Sequence, residues 1–251
     1  MQKNIRYSAF IQLVKNNAVF ITLSLILFGV LGLAILCIPK GELHLLLCDH
    51  HTYARDIFYR YYTKIAEYLP YIVCVLVLLF GRAGDAAMSA GCLAGAELTT
   101  QIIKHIVNAP RPLTWFAANM PEIQLPIVEG VKMHHWFSFP SGHTTTFFAL
   151  AFVLSILATE KIQQANPKAQ PDGEGQASKQ LNRTLVCSLL QAVLFVLAAL
   201  GAYSRIYLSQ HFALDVFAGM GVGLTVTCLI YAFFSHLKNK KWYNFLLFSK
   251  K

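Results

Sequence analysis

Three short groups of residues carry reactive chemistry in an otherwise apolar chain. Lys104 is followed after six residues by Arg111-Pro112; Pro140-Ser141-Gly142-His143 leads into three threonines; Ser204-Arg205 is followed by His211 and, four positions on, Asp215. A guanidinium such as that of Arg111 binds two oxygens of one phosphate, and the Lys104 ammonium adds a point charge. Ser141 can cap a helix whose free N–H groups suit an anion, with His143 at its mouth. If a helix starts near His211, the spacing puts imidazole and carboxylate on one face. A carboxylate on Nδ1–H leaves Nε2 unprotonated and aimed, the make-up of a nucleophile. Each group also has a plainer reading. Basic residues at helix ends snorkel as anchors, a capped helix can carry an incidental histidine, and His-x-x-x-Asp can be a surface pair.

The elements that must position these groups are apolar helices. Of 251 residues 56% are hydrophobic and 13% charged, with a mean hydropathy of +0.50. That balance is wrong for a water-soluble globule of this size. Crossing the hydrocarbon takes about 20 apolar residues in a helix that satisfies its own backbone. Residues 18–39, 184–204, 216–235 and 137–159 lack Asp, Glu, Lys and Arg, the last beginning as a loop that feeds a helix. Residues 68–81 are short and borrow the aromatic run before Glu67, and 86–103 carry Glu97 mid-span. The expected fold is therefore all-α, a polytopic membrane protein with about six transmembrane helices. The first apolar run is too long for a cleaved signal and reads as an anchor.

The formal charge of +9 is placed at the ends. Lys3, Arg6 and Lys15 precede the first span; Lys238, Lys240, Lys241, Lys250 and Lys251 follow the last. This argues for anionic lipid headgroups rather than nucleic acid, and for both termini in the cytoplasm of a multi-pass cell membrane. The outer or periplasmic face then receives 40–67, 108–140 and 205–214, which border all three reactive groups. Arg55, Arg60 and Lys64 weigh against that orientation, and the tyrosines around Phe58 suggest a helix lying in the interface. The polar stretch 160–183 reads as a flexible cytoplasmic linker. Glycines 219, 221 and 223, like Gly91 and Gly95, fit close approach of membrane helices. The six scattered cysteines read as apolar fillers, and the histidines at 50–51 and 134–135 as interfacial or loop residues. Trp115, Phe116, Trp136 and Phe137 fit either an interfacial aromatic belt or a lipid groove.

In this order, Lys104 with Arg111-Pro112, Pro140 to His143, and Ser204-Arg205 with His211 and Asp215 resemble all three motifs of the type-2 phosphatidate phosphatase superfamily. That superfamily includes bacterial membrane lipid phosphatases, glucose-6-phosphatases and vanadium haloperoxidases. The resemblance covers 104–219 and, through the spans, a single domain over 1–251. One departure is that Phe212-Ala213-Leu214 stand where many members have proline. The resemblance implies a lipid phosphatase without metal or cofactor. His211 would attack phosphorus to form a phosphohistidine, Asp215 would hold its ring, and His143 would protonate the leaving oxygen and then activate water. Lys104, Arg111, Arg205, Ser141 and the Gly142 N–H would hold the phosphate oxygens. Glu97 costs about 2.5–3.5 kcal/mol mid-span, so it needs a partner, either beneath the phosphate pocket as a supporting residue or in an inter-helix hydrogen bond. Candidate substrates are undecaprenyl pyrophosphate, lipid A, phosphatidylglycerol phosphate and phosphatidate, met among membrane lipids. The alternatives are a lipid-to-lipid phosphotransferase and a non-enzymatic phospholipid-binding or transport protein.

Overall fold

The structure, a computed structural model, describes residues 10–66, 68–164 and 173–246, without the side chains of 68–70 and 173–178. Its helices are α1 (Ala18–Cys37), α2 (Lys40–Cys48), α3 (Tyr53–Tyr62) with a 3-10 turn (Thr63–Ala66), α4 (Tyr68–Leu79), α5 (Ala83–Val107), α6 (Pro112–Asn119), α7 (Gly142–Gln164), α8 (Gly173–Tyr207) and α9 (Ala213–Ser235). Among the described residues there is no strand.

The chain is an all-helical polytopic membrane protein. Four segments, α1, α7, Lys179–Tyr207 of α8, and α9, are long and apolar enough to cross a membrane. Tyr53–Ala66 and Tyr71–Leu79 qualify only as one span bent by 46°, giving up to five. The expected count of six is thus not reached on length and composition. The difference lies in α5, whose 25 residues carry Asp85, Glu97 and Lys104. Its polar side chains face other parts of the protein, as shown below, so a helix of crossing length need not be apolar all round.

Helix α7 is the axis of the bundle: 61% of its apolar window is buried, against 11% for α1, which turns Leu25, Ile26, Val30, Leu33 and Leu36 outward. Phe148, Phe152, Val153 and Ile156 fill the centre. Helix α9 lies directly against α7 because Gly219 and Gly223 have no side chain there. A Cβ on Gly219 would sit 2.6 Å from the Ser141 carbonyl oxygen, and one on Gly223 2.6 Å from that of Thr145. The Thr145 hydroxyl donates to the Gly219 carbonyl at 3.1 Å. Gly91 and Gly95 face Ile230 on α9, as expected of close helix approach, whereas Gly221 meets only the Phe28 ring at ordinary distance.

The segment 40–66 runs along the stretch 203–212 and is tied to it repeatedly. The Tyr203 hydroxyl donates to the Leu47 carbonyl (2.9 Å), and the Tyr207 hydroxyl to Asp56 (2.6 Å). Arg205 Nη1 donates to Thr63 Oγ1 (2.6 Å), and His44 Nε2 lies 3.3 Å from Ser209 Oγ. His44 is fully buried between Phe116 and Phe212. Burial pushes its pKa down to about 4, so it braces the turn as a neutral ring.

The opposite end of the bundle is closed by polar contacts. Asp85 accepts from Arg82 Nε and the Tyr243 hydroxyl, both at 2.9 Å, and Glu160 accepts from the Tyr231 hydroxyl and Lys238. Carbonyls of Tyr243 and Phe245 receive the Gly84 and Ala83 N–H groups, satisfying the free amides at the start of α5. The expected flexible linker over 160–183 is corrected in part. Helix α7 continues to Gln164 and α8 already runs from Gly173. Polar residues carry on a helix that the membrane has nucleated, since only adding turns is then required. Residues 165–172, with Pro167 and Pro171, lie outside the described residues, as do Lys3, Arg6, Lys250 and Lys251.

Gly219→Ala and Gly223→Ala should each lower stability by about 1–3 kcal/mol through overpacking, read as a drop in the thermal midpoint of the detergent-purified protein. Gly29→Ala, which meets nothing within 4 Å, should leave the midpoint in place. Equal midpoints for all three would contradict the α7–α9 backbone contact.

Candidate active site

The three reactive groups converge at one end of the bundle because each sits at a helix terminus there. Lys104 closes the last turn of α5, which Asn108 ends in the left-handed region (φ 42°) with its N–H on the Lys104 carbonyl. The next residues double back on 135–138: Arg111 N–H donates to the His135 carbonyl (2.9 Å) and Ser138 N–H to that of Ala109 (3.0 Å). Phe137 is left-handed too (φ 58°), a costly state for a bulky residue, and its carbonyl accepts from Lys104 Nζ at 2.8 Å. Arg111 is fixed by the Trp136 carbonyl (3.0 Å) and by the carbonyl and side-chain oxygens of Gln210 (3.2 and 3.1 Å).

His211 is delivered by the turn that ends α8. Ser209 is left-handed (φ 49°), and the Arg205 carbonyl accepts the N–H groups of both Gln210 (3.0 Å) and His211 (3.1 Å). The expectation that His211 and Asp215 share a helix face is corrected here. Helix α9 starts at Ala213, so His211 precedes it, and Asp215 occupies its third position, where its carboxylate accepts the Phe212 N–H at 2.9 Å. A free amide in the first turn of a helix attracts a carboxylate more strongly than a helix surface would hold the pair. His211 Nδ1 is 3.5 Å from Asp215 Oδ2 and 3.5 Å from Ser138 Oγ, while the Ser138 hydroxyl donates to Asp215 Oδ2 at 2.5 Å. The buried Ser138 thus links ring and carboxylate. Nδ1 faces these acceptors, which leaves Nε2 as the nitrogen available to a ligand.

A cavity of about 550 Å³ opens in front of them, lined by Lys104, Arg111, Arg205, His143, His211 and Gly142, among others. Ser141 caps α7, its Oγ accepting from the Thr144 N–H (3.4 Å) and hydroxyl (2.9 Å), and its own N–H donates to the Asp215 carbonyl (2.9 Å). Ser141 and Asp215 are both buried and stand behind the cavity wall. Burial, reinforced by Arg111, Arg205 and Lys104, drives the His211 pKa well below its ordinary value, against a hydrogen bond to the Ser138 backbone that raises it. The result is a neutral imidazole in front of fixed cations, an arrangement suited to nucleophilic attack on a tetrahedral oxyanion.

Comparison with known proteins places this geometry. Residues 86–238 match the family described as the PAP2 superfamily. The chain belongs to the PAP2 superfamily. A search of curated proteins finds no match in sequence. Among solved structures, LpxE from Aquifex aeolicus has a similar fold (TM-score 0.52, 22% identity, covering 75% of this chain and 92% of that one). So does the first transmembrane PAP2 type phosphatidylglycerolphosphate phosphatase, from Bacillus subtilis (TM-score 0.58, 19% identity, 88% and 98%).

For this PAP2 chain, the residues expected in the site divide by position. Lys104, Arg111, Gly142, His143, Arg205 and His211 line one cavity; Ser141 and Asp215 support it from behind; Glu97 lines the cavity rather than lying beneath it. Sequence reasoning missed Ser138, Gln210 and His134. The signals were slight: Ser138 sits two residues before the Pro140 motif, and Gln210 directly precedes His211. His134, read as a loop residue, lines the cavity, and burial with Arg111 and Lys132 nearby lowers its pKa. The aromatic residues also separate. Phe116 is buried and Trp115 packs against Phe212, whereas Trp136 and Phe137 stay substantially exposed.

In histidine-labelled protein, the His211 NMR signals should keep the neutral-ring pattern as pH falls through about 6.5, where an ordinary imidazole is half protonated. A depressed pKa means the charged form gains only at lower pH, and Arg111→Gln should move the midpoint upward by removing a cation. A midpoint at or above the ordinary value would contradict the cation cage.

Proposed function

We propose that this PAP2 protein is an integral membrane lipid phosphatase that transfers phosphate to His211 and then to water. The observation that carries this reading is the neutral His211 ring, held through Nδ1 by Ser138 and Asp215, in a cavity walled by Lys104, Arg111 and Arg205. The Nε2 lone pair forms a bond to phosphorus as the P–O bond to the lipid breaks, and His143 supplies the proton to the departing oxygen. Water then attacks phosphorus, His143 takes its proton, and the N–P bond breaks. The three cations and the Gly142 N–H face the oxygens that share charge in the transition state, the part a metal ion takes in other phosphoryl transfers. Asp215 stabilises the developing positive charge on the ring. Ser141 contributes by capping α7 and so fixing His143.

The setting favours a lipid-linked phosphate, because the cavity lies at the ends of helices whose outer surfaces are apolar. Counting α5 and the bent pair as crossings gives six, which puts both ends of the chain on the side opposite the site. With excess Lys and Arg marking the cytoplasm, the site opens at the outer, periplasmic face of the membrane. The fold likeness to LpxE and to a phosphatidylglycerolphosphate phosphatase keeps a phosphorylated glycerolipid in view beside the other candidate lipids.

The test is phosphate release by the detergent-purified protein from undecaprenyl pyrophosphate, lipid A, phosphatidylglycerol phosphate and phosphatidate, with chelator present. Activity should persist with chelator, vanish in His211→Ala, and leave an acid-labile phosphoryl group on the wild-type chain after rapid quenching. Activity equal in wild type and His211→Ala would remove the nucleophile, and loss on chelation would remove the metal-free mechanism. Ser138→Ala should lower kcat by about tenfold or more through one lost hydrogen bond to a charged group, with KM nearly unchanged; an unaltered kcat would deny Ser138 its positioning part.

A further inference from the structure

Among the described residues three histidines line the cavity, and His134 is the one to which the phosphoryl transfer above gives no part. Its neighbours set its position. Gln210 Nε2 donates to the Met133 sulfur (3.0 Å) while Gln210 Oε1 accepts from Arg111 Nη1 (3.1 Å). On the other side the His135 carbonyl accepts the Arg111 N–H (2.9 Å), and His135 Nδ1 lies 3.1 Å from Thr114 Oγ1. Met133 and His135 are thus both anchored around Arg111. Between them the His134 ring is exposed, and among the described residues no hydrogen bond, ion pair or ring contact engages it. An imidazole that reaches the cavity from an anchored backbone, with no partner of its own, is free to meet a ligand.

We propose that His134 is a fourth phosphate-binding group beside Lys104, Arg111 and Arg205, one that takes a proton from water as phosphate enters, donates a hydrogen bond to a phosphate oxygen, and returns the proton on release. This rests on the lipid phosphatase reading and adds a residue to its binding site. The surrounding groups decide the state of the ring. Lys104 on α5, Arg111, Arg205 on α8 and Lys132 in its own segment are positive, and His135, His143 at the start of α7, and His211 are titratable. Glu97, bonded to Gln101, is the one carboxylate among the described lining residues. Without phosphate the positive side prevails: partial burial, then Arg111, Lys132, Arg205 and Lys104, lowers the His134 pKa. A phosphate monoester carries a charge of about −1.5 to −2 near neutral pH. It offsets the repulsion from those cations and offers an acceptor, and both effects favour the imidazolium. The share of phosphate affinity owed to His134 is therefore complete below the pKa of the unliganded ring. It is lost as pH rises through the higher value of the liganded one. Glutamine is the matched replacement, since it keeps an N–H donor and cannot take the charge.

The probe is inorganic phosphate, titrated into histidine-labelled protein over a range of pH. Saturating phosphate should raise the midpoint of the His134 ring signal in NMR; a midpoint that stays in place or falls overturns the proposal. This arm uses wild type alone and stands even if His134→Gln folds poorly. Phosphate should bind His134→Gln about tenfold more weakly than wild type near pH 6 and almost equally near pH 8.5, the size of one charge-assisted hydrogen bond. The titration of phosphate itself is common to both proteins and cancels in the ratio. A merely structural part for His134 would weaken binding by one factor at every pH, and that result also overturns the proposal. In turnover of the fastest-hydrolysed of the four lipids, His134→Gln should raise KM with the same pH dependence and leave kcat nearly unchanged. Lipid hydrolysis without the phosphate-linked shift removes this inference alone. The shift without hydrolysis of any lipid removes the phosphatase reading and leaves the phosphate site.

Discussion

The hydrogen bond from the Ser141 amide to the Asp215 carbonyl joins the N-terminal ends of α7 and α9, and most of the site depends on the closeness it requires. Two helix N-termini that approach this nearly bring their unsatisfied amides and their positive dipole ends together, an unfavourable meeting unless something negative is shared between them. Asp215 supplies part of that charge, accepting the Phe212 N–H and the Ser138 hydroxyl from either side. The approach is possible only because Gly219 and Gly223 offer backbone where other residues would offer side chains. His143, in the first turn of α7, and His211, in the turn before α9, are brought toward each other through this contact.

The cavity then concentrates positive charge. Lys104, Arg111 and Arg205 line the same space, and like charges held together in a partly desolvated site oppose folding. The chain holds each cation with neutral acceptors, namely the Phe137 and Trp136 carbonyls, Gln210 and Thr63. The left-handed backbone at Phe137 belongs to the same logic, since it turns a carbonyl toward Lys104 at some conformational cost.

What could be read from the sequence was the part written in residue type and spacing. Apolar length announced α1, α7, α8 and α9, and the motif residues announced the cations and both histidines. Two kinds of feature were hidden. One is what a helix end does with its free amides: nothing in His-x-x-x-Asp tells whether the helix starts before the histidine or after it, and the start at Ala213 changes how Asp215 meets the ring. The other is contact between distant segments. Ser138 and Gln210 look like loop residues until 109–111 is seen to pair with 135–138 and to lie against the turn after α8. The polar residues of α5 belong here too, since Asp85 meets Arg82 and Tyr243 and Lys104 meets the Phe137 carbonyl only across the fold.

The stretch 40–66 shows why such contacts matter for chemistry in a membrane. Lipid exerts no hydrophobic force that would press a short loop onto a bundle, so a turn such as 208–212 must be held by packing and hydrogen bonds. His44, Leu47, Asp56 and Thr63 supply them at Ser209, Tyr203, Tyr207 and Arg205 in turn. Lys40 adds its ammonium over the Phe212 ring at 3.9 Å. These contacts reach the residues on both sides of His211 and leave the cavity side of its ring open. In the proposed phosphoryl transfer, a ring held from behind in this way meets phosphorus with little loss of orientation.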